Sequence, residues 1–226
     1  MSHFTYLFVL LFTLSYPLYK SFEDKINYYS KWKFVWPAIL ISAAMFIAWD
    51  IWFTEAGVWS FDANHVIGIY FFGLPIEEWF FFFIIPFSCV FIYEVMNYFL
   101  RKDILEKTAP FISFFLVAIL LFIGGIYRDR LHTSVTFFSL AILLMAHQFV
   151  LRSSYMGRYY IAWAVCMIPF LVVNGILTAA PVLRYNNLHI LNLRIYTIPV
   201  EDIFYGMLHI LLVITIYEFF KKRKHA

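Results

Sequence analysis

The stretch Gly73–Leu–Pro75–Ile–Glu77–Glu78–Trp79–Phe80–Phe81–Phe82–Phe83 sets two adjacent carboxyl groups beside a proline, inside a run otherwise suited to lipid. Acids in an apolar span are costly to desolvate, and those that persist mark functional sites by default. A second stretch, Ile198–Pro199–Val–Glu201–Asp202–Ile–Phe204, repeats the pattern. A shift of 124 residues, without a gap, superposes the two motifs, and with them His65 on His189, Asp50 on Asn174 and Tyr93–Glu94 on Tyr217–Glu218. From residue 38 to 94, 12 of 57 positions are identical at this shift, where composition alone would give roughly four. The chain is an internal duplication.

Composition fixes the solvent. The 226 residues are 63% hydrophobic and 14% charged, with a mean hydropathy of +0.79, far from the roughly 25% charge of a soluble domain. The apolar residues run continuously instead of alternating, which predicts membrane helices and excludes a transmembrane barrel. Spans are expected near 4–19, 34–53, 72–99, 111–127, 133–151, 159–180 and 196–220. The first is read as a retained helix, since no basic residue precedes it and no small-residue cleavage site follows. Cys89 and Cys166 lie in apolar segments without metal-ligand or redox spacing and read as buried thiols. No basic, aromatic-interleaved stripe suggests nucleic acid.

Of the 17 Lys and Arg residues, 13 fall in loops 1–2, 3–4 and 5–6 and the tail, all on one side. The positive-inside rule therefore puts the N-terminus outside and the C-terminus in the cytoplasm. Spans 2 and 3 map onto 6 and 7, so the expected architecture is all-α, seven helices in a parallel 3+1+3 repeat. Its divisions are a first repeat over 1–100, a linker with helix 4 over 101–127, and a second repeat over 128–226. Four intervening helices preserve direction through the bilayer, so both acid motifs lie on one membrane side at similar depth.

Adjacent residues on a helix point about 100° apart, so only one acid of each pair can face a given cavity. This argues against a metal site, and no Lys/Arg cluster for a diphosphate lies nearby. Proton donation fits better, because burial and a neighbouring carboxylate both favour a protonated carboxyl, whereas a helix N-terminus favours the anion. Pro75 and Pro199 suit the first turn of a helix. The aromatic run after Glu78 offers ring faces for a cation. Phe80 and Phe204, each three positions after the first acid, are the expected site rings. Asp50 and Asn174 could orient the acids or sit at the interface, and His65 and His189 are loop residues raised in interest by their repetition. Glu94 and Glu218 are expected to anchor or to pair with nearby basic residues.

The segments Pro75–Ile–Glu77–Glu78 and Pro199–Val–Glu201–Asp202 resemble the Pro-x-Glu-Glu/Asp signature of the membrane-integral lycopene cyclases, carotenoid cyclases of heterodimeric type, in their fused single-chain form. The likeness covers nearly the whole chain, and it departs at Asn174 and Asp202, where the halves differ. It implies a redox-neutral isomerisation of lycopene: a carboxyl protonates the terminal double bond, the next double bond closes a six-membered ring, and a base removes a proton. β-Ionone rings, and β-carotene by way of γ-carotene, are the implied products, with ε- or γ-rings as alternatives. The implied site is Glu77, Glu78, Glu201 and Asp202, with Glu77 facing the polyene because its counterpart is unvaried; Glu77→Gln or Glu201→Gln should then be inactive yet folded. No cofactor and no metal is implied, and no dinucleotide fingerprint is present. The resemblance further implies a bacterial inner-membrane setting with lipid contacts, and allows contact with other carotenoid enzymes. A hydratase would use related acid chemistry. Small sugar transporters share the 3+1+3 plan, but their prolines spread over several helices. A retinal protein needs a lysine in its last span, and residues 196–220 have none.

Overall fold

Two short hairpins decide where the acid-bearing helices begin. The computed structural model describes residues 3–100 and 102–223; Arg101 and Lys224, counted in the charge asymmetry, lie outside them. Strand β2 (Tyr70–Phe71) pairs with β3 (Leu74–Pro75), and β5 (Arg194–Ile195) pairs with β6 (Ile198–Pro199). Phe72 and Gly73, at φ 51° and 80°, form a two-residue turn of the kind that matches strand twist. Tyr196 takes the same left-handed conformation at φ 57°. Helices α3 (Ile76–Phe99) and α7 (Val200–Arg223) start only after these hairpins. The spans expected from 72 and 196 are thus each four residues shorter at the front. Pro75, at φ −64° and ψ 149°, is the N-cap of α3 and not a first-turn residue. Pro199 likewise precedes α7.

The remaining helices are α1 (Thr5–Lys20), α2 (Trp32–Glu55), α4 (Ala109–Ile126), α5 (Leu131–Phe149) and α6 (Met156–Ala179). Helices α2 to α7 are each long and apolar enough to cross a bilayer. The 16 residues of α1 span about 24 Å, somewhat less than a hydrocarbon core. Large apolar side chains face outward around the bundle, among them Phe12, Phe111, Phe122, Ile142 and Ile168. Water would penalise such a belt and lipid does not. The protein is an integral membrane helix bundle, and both cysteines are free and buried within it.

Packing follows the duplication. In each repeat the first helix lies on the third, α1 on α3 and α5 on α7, while α2 packs on α7 and α6 on α3 across the repeats. Helix α4 packs chiefly on α5 and has no counterpart. Between the second and third helices, strands β1 (Trp59–Phe61) and β4 (Leu183–Tyr185) form an antiparallel ladder joining the repeats. Its central pair, Ser60 and Arg184, are the same position of the two repeats, so the pseudo-two-fold axis runs through the ladder. Asp62 beside it forms an ion pair with Arg184. The Asn64 backbone N–H, then its side-chain amide, Arg184 and His65, hold the Asp62 carboxyl below the usual range.

A second seam closes the opposite face. Tyr93 Oη donates to Glu218 Oε1 at 3.0 Å, and Tyr217 Oη donates to Glu94 Oε1 at 3.0 Å. Lys31 and Lys221 reach Glu94 at 2.5 and 2.9 Å. The two glutamates therefore pair with basic residues, as expected, and also with the other repeat's tyrosine. Glu94 is 2% exposed, and truncating it takes a partner from Lys31, Lys221 and the buried Tyr217 phenol. Glu94→Ala is expected to cost on the order of 3 kcal/mol, read as a lower melting temperature in mild detergent. An unshifted melt would mean that this seam contributes nothing.

Candidate active site

The duplicated acids divide by position within each pair. Glu77 and Glu201, both 0% exposed, turn toward their own loops. Glu77 Oε1 accepts the Ile67 N–H at 2.7 Å, and Glu201 Oε1 accepts the equivalent Leu191 N–H at 2.6 Å together with the Thr133 hydroxyl at 2.6 Å. The second oxygen of each is buried without a hydrogen-bond partner among the described residues. Each first acid thus pins the loop that leads into its hairpin.

The second acids, about 100° round the helix, face helices α1 and α5. Tyr6 of α1 donates its hydroxyl to Glu78 Oε2 at 2.6 Å. His132 of α5 places Nε2 at 3.2 Å from Asp202 Oδ1, and Tyr185 of β4 donates to Asp202 Oδ2 at 2.5 Å. Thr136 lies 3.1 Å from His132 Nδ1. The His132 ring thus bridges Asp202 and the Thr136 hydroxyl, one ring nitrogen on each. Glu78 keeps 6% exposure.

The two half-sites meet. Asp50 of α2, 3% exposed, lies within electrostatic range of Glu78, as does Asp202. Burial, followed by the charges of Asp202, Glu78 and Asp50, holds the Tyr185 phenol well above its usual pKa. Around this cluster stand aromatic rings. His132 is boxed by Phe53, Trp59, Tyr185 and Tyr205, with ring centroids 5.2–6.2 Å away. Tyr205 in turn meets Phe46 at 5.2 Å and Trp49 at 5.7 Å. His209, one further turn along α7, lies 4.2 Å from Phe46 and 5.5 Å from Phe82.

Several expected residues fall elsewhere. Phe80 is 44% exposed and Phe204 packs on Phe137 at 4.9 Å. Because the first acids turn to the loops, the rings three positions on miss the cluster; Phe82 and Tyr205 face inward instead. Asn174 does not mirror Asp50: it is half-buried and bonds to Phe170 O within its own helix at 3.3 Å. The backbone carbonyls of His65 and His189 accept the Tyr6 and His132 N–H groups at 3.4 and 3.0 Å, so these loops cap α1 and α5. Pro75 and Pro199 end buried strands before the acid helices.

Tyr6, His132 and Tyr185 are not expected from the sequence. Helix α1 starts at 5 and α5 at 131, a separation of 126 residues, so a gapless shift of 124 cannot superpose Tyr6 on His132. Two extra residues between the repeats bring Tyr6 and His132 to equivalent positions. Tyr185 is the repeat equivalent of Phe61 and carries no signal in the motif.

An internally duplicated membrane bundle with a buried, aromatic-boxed acid cluster is the class that fold and site define. The family model for lycopene cyclase matches residues 3–96 and 129–220, one segment per repeat and most of the chain. The chain belongs to the lycopene cyclase family. No curated protein and no solved structure matches it. Family membership brings a lycopene cyclase-type function, a carotene substrate and a lipid setting.

Proposed function

We propose that the chain closes the ψ-ends of lycopene to β-ionone rings, giving β-carotene by way of γ-carotene, as an intramolecular lyase of the isomerase class. The observation that carries this reading is the pair of buried second acids, Glu78 held by Tyr6 and Asp202 held by His132 and Tyr185, beside the rings that box His132. Glu78 is the donor: Tyr6 holds Oε2, and Oε1 can carry the proton to the terminal double bond. Asp202 receives two donors, His132 and Tyr185, which suits a carboxylate that accepts the proton leaving the cation. Phe46, Trp49, Tyr205 and Phe82 present π-faces to the intermediate and exclude water that would otherwise capture it.

One composite cluster per chain handles one end of the substrate at a time. In this reading the chain sits in the bacterial cell membrane with its N-terminus outside and its C-terminus cytoplasmic, as the distribution of its basic residues suggests. Its functional divisions are two cyclase repeats, 1–100 and 128–226, around the 101–127 linker. Expression in a lycopene-accumulating bacterium is expected to yield pigment of unchanged mass and a yellower spectrum, with a one-ring intermediate at early times. Unaltered lycopene from well-expressed protein would refute the reading. A gain of one water in mass would make the chain a hydratase.

A further inference from the structure

A cleft of ≈ 560 Å³ opens over the β1–β4 ladder, lined by Thr54, Ser60, Arg184, Asn186 and the Tyr185 ring. Polar side chains share its lining with the rings of Trp59, Phe61 and Tyr70, and it has room for roughly twenty water molecules. Ser60, Arg184 and Asn186 are exposed along it, so water reaches the wall that Tyr185 forms. From this wall the Tyr185 hydroxyl reaches inward to Asp202 Oδ2, whose other oxygen meets His132. We propose that the cleft is the aqueous proton port of the site and that Tyr185 is the relay between its water and Asp202.

The proposal rests on the cyclase reading and deepens it. In each closure a proton leaves Glu78 for the terminal carbon–carbon double bond, and the adjacent π-pair forms the ring bond. The resulting cation loses a different proton to Asp202. Carbon and hydrogen are conserved in the product, but the enzyme ends with Glu78 charged and Asp202 protonated. Before the next closure one proton must pass back from Asp202 to Glu78. The relay lets that proton exchange with cleft water first: Asp202 gives its proton to the Tyr185 oxygen as the hydroxyl gives its own to water, the hydroxyl trades the proton it took for one from water, and the reverse pass returns a solvent proton to Asp202. Without the relay, the proton drawn from the carotene is handed straight back to Glu78.

The two routes differ in isotope content. Lycopene-loaded proteoliposomes of the full chain, run for many turnovers in heavy water, are expected to give close to one deuterium per new ring by mass spectrometry. Tyr185→Phe keeps the ring stacked on His132 but removes the relay. Its label per ring should fall at least roughly threefold by ~10 turnovers, because only the first donor proton comes from solvent. Ser60→Trp narrows the cleft without replacing Glu78, Asp202 or their hydrogen-bond partners, and should lower the label in the same way even if the Tyr185 variant folds poorly. Label is independent of rate, so a merely slower enzyme does not mimic the effect. Wild-type product labelled only in the first turnover, or full label persisting in either variant, overturns the port. Absence of any cyclised product instead overturns the cyclase reading itself.

Discussion

Glu78→Gln and Asp202→Asn are each expected to lower cyclisation by about 10²–10⁴-fold while the protein stays folded, the usual contribution of a positioned proton donor or acceptor. Both substitutions keep the side-chain volume and a carbonyl oxygen for the Tyr6 or Tyr185 hydroxyl. What they remove is the ability to give or take a proton. Product formation per folded molecule, measured in lycopene-loaded vesicles and normalised to the detergent melting curve, separates the two effects. If either variant retained more than about a tenth of wild-type turnover, its residue would lose its place in proton transfer. Tyr6→Phe is the milder companion, since Glu78 keeps its proton but loses the donor that orients it.

The first acids should behave differently. Glu77 Oε1 accepts the Ile67 N–H, and a glutamine oxygen can accept it equally well. Glu77→Gln is therefore expected to stay within about tenfold of wild-type activity, whereas Glu77→Ala unlatches the loop and costs about 1–3 kcal/mol through the stranded N–H. Glu201→Gln and Glu201→Ala should follow the same order, with Thr133 adding to the cost. The sequence alone points the other way, to Glu77 as the residue facing the polyene. A dead Glu77→Gln beside an active Glu78→Gln would restore that assignment.

The contrast shows what periodicity can carry. Hydropathy runs and the 124-residue repeat contain the helix count, the pairing of repeats and the shared side of the acid motifs, because each depends on residue order alone. Which acid of a pair turns inward depends on where the helix starts. That start is set by a two-residue hairpin turn at Phe72–Gly73, whose short strands leave almost no hydropathic trace. Tyr6 and His132 were hidden for another reason: they belong to helices spaced 126 residues apart while the acids are spaced by 124. Glu94 and Glu218 were legible as partners of basic residues, but the crossed tyrosine bonds required knowing that α3 and α7 lie side by side.

The ladder over the cleft has a consequence for how the two halves could diverge. A symmetric dimer of one short chain must set each axial residue against its own copy, because the same patch serves both subunits. Here Ser60 faces Arg184 across the axis, and a tyrosine and a histidine stand at matching places beside the acids. Two arginines facing each other there would repel, and two serines would forgo the Asp62 ion pair. Covalent fusion releases both positions from identity, so donor and acceptor can be specialised separately. The asymmetry of the chemistry is thus a property that only a joined pair of repeats, or two unlike subunits, can encode.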